Sequence, residues 1–161
     1  MKENFFTEVW RRFKEPWRYL AFNLYFILFV IVISAVDVHW AFVEQQYFKG
    51  WSEPSEVAKN MAAYGLTMIM ASLLEFALKP EIKNRTSSMI VSFFIAILAL
   101  ALFVLSYLIN TSYSLLPASI NVVLGLFVWI VANSDNTNYR DGDSLAESVK
   151  EETSNLQSDW K

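Results

Sequence analysis

Residues 89–108 read MIVSFFIAILALALFVLSYL, twenty positions without a charge. At about 1.5 Å of rise per residue, a helix of that length reaches about 30 Å, the thickness of a bilayer's hydrocarbon core. A helix that is apolar on every side is either buried deep in a protein or surrounded by lipid. A transmembrane β-strand would alternate apolar and polar residues, and the unbroken aliphatic run from Ile95 to Leu105 excludes that alternative.

Working outward, three more apolar runs appear, Tyr19–Val36, Met61–Leu74 and Leu115–Ala132, separated by short polar segments. Four crossings of about 20 residues each take up roughly half of the chain, and what remains of the 161 residues has no room for a soluble second domain. Hydrophobic residues make up 55%, aromatics 16% and charged residues only 18%, as expected when the outside of a helix bundle is also apolar. The expected fold class is all-α: a polytopic domain of four transmembrane helices over residues 19–132, with spans near 19–42, 57–78, 88–109 and 114–132. Residues 1–18 form an interfacial amphipathic helix in this reading, and residues 133–161 an acidic cytosolic tail. The first run has a basic leader like that of a signal peptide. Its apolar stretch is too long for such a peptide and no good small-x-small cleavage site follows, so it is read as a retained span.

Charge sets the orientation. Lys2, Arg11, Arg12, Lys14 and Arg18 precede the first run, Lys79, Lys83 and Arg85 separate the second from the third, and Arg140, Lys150 and Lys161 follow the fourth. With both termini and the Lys79–Arg85 loop in the cytoplasm, all but Lys49 and Lys59 of the 13 basic residues lie inside, as the positive-inside rule requires. The second run has an uncharged centre of only 14 residues. Lys59 and Glu75, about 24 Å apart on a helix, can snorkel to opposite interfaces, so it is read as a true crossing. Trp40, Tyr47, Trp51 and Tyr113 mark the outer boundary, and Trp17, Tyr19 and Trp129 the inner one, as aromatic belts. Compact loops and the absence of targeting features point to a bacterial inner membrane.

In lipid, helices associate through small residues that let backbones approach. Ala58, Ala62, Gly65 and Ser72 form such a stripe on the second run, and Ala118, Asn121, Gly125 and Ala132 on the fourth, expected to pack within the bundle or against a second copy. The third run is bulkier and is expected to be the most lipid-exposed. Pro117 falls in the first turn of the fourth, where its missing N–H costs little.

Ionisable residues at membrane depth are functional candidates by default. Glu75, three residues after Ser72, reads either as a proton- or cation-coupled carboxylate or as an acid snorkelling to the interface and paired with Lys79. Asp37 and His39 end the first run and read as a proton relay or as a polar terminus; residues two apart do not face each other on a helix, which favours the second. Asn23 and Asn121 are single amides suited to interhelical hydrogen bonds. Asn121 has the alternative of facing its symmetry mates around an oligomer axis.

Outside the bilayer, Phe6, Val9, Trp10, Phe13 and Trp17 recur at helical spacing among Arg11, Arg12 and Lys14, the pattern of a helix lying on anionic lipid. After Ala132 the tail carries seven acidic residues against Arg140, Lys150 and Lys161. Ser144-Leu-Ala-Glu147 is a capping box opening a candidate helix over 144–159, with Leu145, Val149, Leu156 and Trp160 as a sparse apolar stripe. The tail is either disordered or folds on a soluble cytosolic protein, with Leu156 and Trp160 as anchors and Lys79, Lys83 and Arg85 beside it. Its acidity opposes nucleic-acid binding.

The chain has no cysteine, one histidine and four glycines, none in a phosphate-binding motif. It also lacks paired catalytic carboxylates and a nucleophile elbow. No catalytic residue, metal ligand or cofactor is therefore expected. Two function classes remain: a homo-oligomeric interaction or sensor subunit coupling the membrane to a cytosolic partner, or a small oligomeric transporter or channel using Glu75, with Asn121 in its pore. Small multidrug exporters have four short spans and an essential acid in the first, whereas this chain has no acid there before Asp37. In size, four-span topology and lack of catalytic residues the chain resembles membrane subunits of bacterial antiphage defence systems, such as the membrane component of Kiwa. The resemblance rests on architecture and transfers no individual residue. It implies an oligomer whose cytosolic face (Lys79, Lys83, Arg85 and the tail) holds a soluble effector, with envelope perturbation sensed through the spans or the outer loop Val43–Glu56.

Overall fold

In the computed structural model, residues 5–49, 55–78, 85–109 and 111–136 are described, and every regular element among them is helical. Helix α1 (Phe5–Lys14) runs into a 3-10 turn, Glu15–Arg18, that Pro16 opens at a position where its missing N–H leaves no bond unmade. Tyr19 is extended, and the axis turns by 91° between Phe6–Arg18 and Leu20–Ile33. Three segments are each long and apolar enough to cross a membrane: Glu56–Glu75 in α4 (Ser55–Leu78), Met89–Leu108 in α5 (Arg85–Leu108), and Ser112–Asn133, which ends in α6 (Leu115–Asn133). The bent pair supplies a fourth candidate. The chain is an all-helical membrane protein.

The first run departs from the expected single helix over 19–42. Helix α2 (Leu20–Tyr25) widens into a π-helix at Phe26–Ile33, the chain breaks at Ser34–Ala35, and α3 (Val36–Glu44) resumes and widens again at Gln45–Lys49. The β-branched side chains of Val30, Ile31, Val32 and Ile33 stand in succession and crowd a tight α-turn. At the break the Ser34 N–H (2.8 Å) and hydroxyl both donate to the Phe29 carbonyl, so one carbonyl serves two donors. A second difference follows: helix continues to Lys49, well into the expected loop Val43–Glu56.

The bundle is organised around α4 and α6, whose small stripes face each other. Ala58, Ala62, Ser72, Ala118, Asn121 and Ala132 are all buried, as are Gly65 and Gly125. A Cβ on Gly65 would lie 2.6 Å from the carbonyl carbon of Asn121, and one on Gly125 would lie 2.9 Å from the Gly65 carbonyl oxygen. The two backbones therefore touch, which is what small residues permit between helices that gain nothing hydrophobic by associating in lipid. Of the two packing modes left open by the sequence, the stripes adopt the one within the chain. Helix α5 is the periphery: 17% of its apolar window is buried, against 39% for α4 and 44% for α6, in line with the expectation of a lipid-facing third span.

Trp129 on α6 ties down the first run. Its ring lies 5.8, 6.0 and 5.7 Å from those of Phe22, Tyr25 and Phe26, and Trp17 packs edge-on to Phe22 and Phe26. Trp17 and Trp129 were expected as interfacial belt residues; in the fold they belong to an aromatic cluster built on Phe22, which is wholly buried.

Candidate functional site

Helix α1 turns Glu8, Val9, Arg12 and Phe13 inward, the spacing of one helical face, and Pro16 of the 3-10 turn is buried beside them. The Phe13 ring packs, tilted, against that of Phe127 of α6 at 5.2 Å. Arg12, expected among the residues facing lipid headgroups, is only 6% exposed. Its Nε and Nη2 donate to the Glu8 carboxylate at 3.3 and 3.2 Å, and its Nη1 makes a 2.6 Å ionic contact with Asp135. A buried guanidinium is costly unless paired. Here two carboxylates face it, and the negative end of the α6 dipole lies beside it, since Asp135 follows the last helical residue, Asn133, by two. The other cations of α1 are also engaged locally: Arg11 pairs with Glu15 of the 3-10 turn at 2.6 Å, and Lys14 sits 4.6 Å from the centre of the Trp10 ring. The Glu8–Arg12–Asp135 triad thus joins the N-terminal helix to the segment from which the acidic tail departs. The Glu8/Arg12 half was legible as an i,i+4 pair. The Asp135 half spans the length of the chain, and no local signal announces it.

Asn121, Asn23, His39 and Tyr64 are held by intrachain hydrogen bonds to backbone carbonyls. Asn121 is fully buried, and its amide donates at 3.0 Å to the Ala62 carbonyl across the glycine contact, the interhelical bond expected of it; the alternative of facing an oligomer axis does not fit that position. Its Oδ1 and the Ser72 hydroxyl are buried without a hydrogen-bond partner among the described residues. Asn23 was expected to bond between helices. Instead its amide reaches back to the Trp17 carbonyl at 3.1 Å and braces the 91° bend. His39 and Asp37 are exposed and do not form a relay: the His39 ring Nε2 lies 2.9 Å from the Ile31 carbonyl, and the Asp37 backbone carbonyl accepts from the Asn60 amide at 3.3 Å. Both sit within α3 rather than ending a helix.

Tyr64 on α4 was overlooked. Its hydroxyl donates to the Val30 carbonyl, so Phe29, Ile31 and Val30, three consecutive carbonyls of the π-helix, are each taken up by a side chain. The available signal was the residue type, because a tyrosine hydroxyl at membrane depth must find an acceptor within the protein.

Glu75 is partly buried on α4, one turn beyond Ser72. Arg85 begins α5, while Lys79, Lys83, Leu145, Val149, Leu156, Trp160 and the candidate helix over 144–159 lie outside the described residues. Among the described residues no group of three or more His, Cys, Asp or Glu side chains is placed to hold a metal ion. No family model, curated protein or solved structure matches this chain.

Proposed function

We propose that the chain is a non-enzymatic integral inner-membrane subunit, homo-oligomeric, that anchors or signals to a soluble cytosolic partner. The observation that carries this reading is the Glu8–Arg12–Asp135 triad, which lashes the N-terminal helix to the root of the acidic tail. With both termini in the cytoplasm, α1 lies along the inner interface and the tail leaves beside it. A change in the membrane that lifts or tilts α1 then acts on the segment that meets the partner. The polar residues of the spans support the same reading, since Asn121, Tyr64, Asn23 and His39 are spent on backbone carbonyls within the chain rather than lining a path. The architectural resemblance to the Kiwa membrane component makes a membrane sensor of antiphage defence the specific form of this proposal.

The test is native mass measurement of the tagged full chain in mild detergent from its native host, with co-purifying proteins identified. A defined oligomer that holds one soluble protein, and loses it when Leu145–Lys161 is deleted or when Lys79, Lys83 and Arg85 are neutralised, is the expected result. A bare oligomer whose Glu75→Gln variant abolishes proton flux in liposomes would replace this proposal with a transporter.

A further inference from the structure

Beneath α1 the bundle leaves a cavity of about 270 Å³ bounded by four helices, with Val9 of α1, Leu73 of α4, Val91 of α5 and Val131 of α6 among its walls. Ser92 supplies the single hydroxyl among its lining residues, and the remainder are aliphatic or phenylalanine. A cavity of about 150 Å³ with such a lining stays dry and takes up an apolar molecule such as benzene. This one is larger and equally unsuited to water.

We propose that the cavity is a binding site for one acyl chain of a membrane lipid, with α1 as its roof. Three features of the site select that occupant. Phe6 of α1 and Val91 of α5 both line the cavity and are exposed, Phe6 at 77%, so it opens between these helices, and 17% of the α5 apolar window is buried, less than in α4 or α6. Along that helix Ile90, Phe94 and Leu98 are exposed at i, i+4 and i+8, one continuous apolar track leading past the lining residues Val91 and Ser92. Finally, Phe6 and Val9 of α1 line the same cavity as Val91, Ser92 and Ile95 of α5, so a chain lying along the α5 track meets the underside of α1. The occupied cavity fills the space under Phe6 and Val9 and so supports the docked position of α1, beside the contact of Arg12 with Asp135. The inference rests on the chain crossing a membrane and is independent of any cytosolic partner.

The experiment places the full chain in nanodiscs containing a phosphatidylcholine whose acyl chain carries a mid-chain diazirine, and maps photo-adducts by peptide mass spectrometry. Adducts are expected on lining residues of α6 and α1 as well as on the exposed Phe93–Phe94 surface of α5. In the cavity-filling variants Ser92→Phe and Ala132→Leu the lining adducts are lost and those on Phe93–Phe94 persist. The wild-type chain decides the question even where a variant fails to fold. Adducts on Phe93–Phe94 without any on the lining overturn the proposal, as do lining adducts that survive in folded variants, or crosslinks showing that a second copy fills the cavity. Absence of adducts everywhere would overturn the membrane reading itself.

Discussion

Replacing Gly65 by alanine puts a methyl carbon 2.6 Å from the Asn121 carbonyl carbon, 2.7 Å from its oxygen and 2.8 Å from the Val122 nitrogen. Ordinary contact begins near 3.4 Å, so the shortfall is about 0.8 Å. All three neighbours are backbone atoms of α6, and no side chain can rotate away; the helices must separate as bodies. Forcing a carbon into a packed contact costs about 1–3 kcal/mol, and the upper end applies where only rigid elements can yield. Separation also lengthens the bond from Asn121 to the Ala62 carbonyl, a loss of about 0.6 kcal/mol for an average interhelical hydrogen bond in a membrane. Alanine is the better helix former by about 0.5–1 kcal/mol, which offsets part of this. The expected net loss is about 3 kcal/mol, or ~150-fold in the unfolding equilibrium constant. Reversible unfolding in mixed micelles, followed by far-UV circular dichroism, measures it. Gly125→Ala, with its nearest clash against a single carbonyl oxygen at 2.9 Å, is expected to lose less. Ala71→Leu, at an exposed position of α4, is expected to stay within about 0.5 kcal/mol of wild type. Should Gly65→Ala prove as stable as wild type, α4 and α6 do not cross at these glycines and the account of the core fails.

Three further outcomes are expected. Arg12→Met leaves Glu8 and Asp135 facing each other; with side chains 18% and 28% exposed, solvent screening reduces the loss to about 1–2 kcal/mol. That loss is read as faster tryptic cleavage at Arg11 and Lys14, with partial protection restored by the swap Arg12→Asp with Asp135→Arg. Tyr64→Phe removes the donor to the Val30 carbonyl and is expected to cost about 1 kcal/mol in the same unfolding assay with helical content unchanged, whereas an unaffected midpoint would mean that the π-helix does not depend on α4. Because the chain has no cysteine, Ser112→Cys and Thr7→Cys each provide a unique thiol. An impermeant maleimide should label Ser112→Cys in intact cells and Thr7→Cys only after permeabilisation, and the opposite pattern would invert the assigned topology.

That this is a helical membrane protein, and where most of its candidate crossings lie, could be read from the residues alone, because lipid imposes a length and an unbroken apolar character that residues 89–108 display in full. So could the faces of α4 and α6, since small residues at helical spacing mark where backbones can meet whatever the partner. That those faces meet each other, that Asn121 reaches Ala62 and that Arg12 finds Asp135 emerge from the packed fold, because each of these pairs distant parts of the chain and depends on how the helices are arranged. The break in the first run was hidden for another reason. Hydropathy reads composition, and an apolar run scores the same whether its backbone is α or π; what stabilises the π form is a set of hydrogen bonds donated to its carbonyls by Ser34, His39 and Tyr64, the last of which forms only when α4 lies alongside. Residues that answer to lipid were legible one by one, whereas those that answer to one another became legible only once the helices were packed.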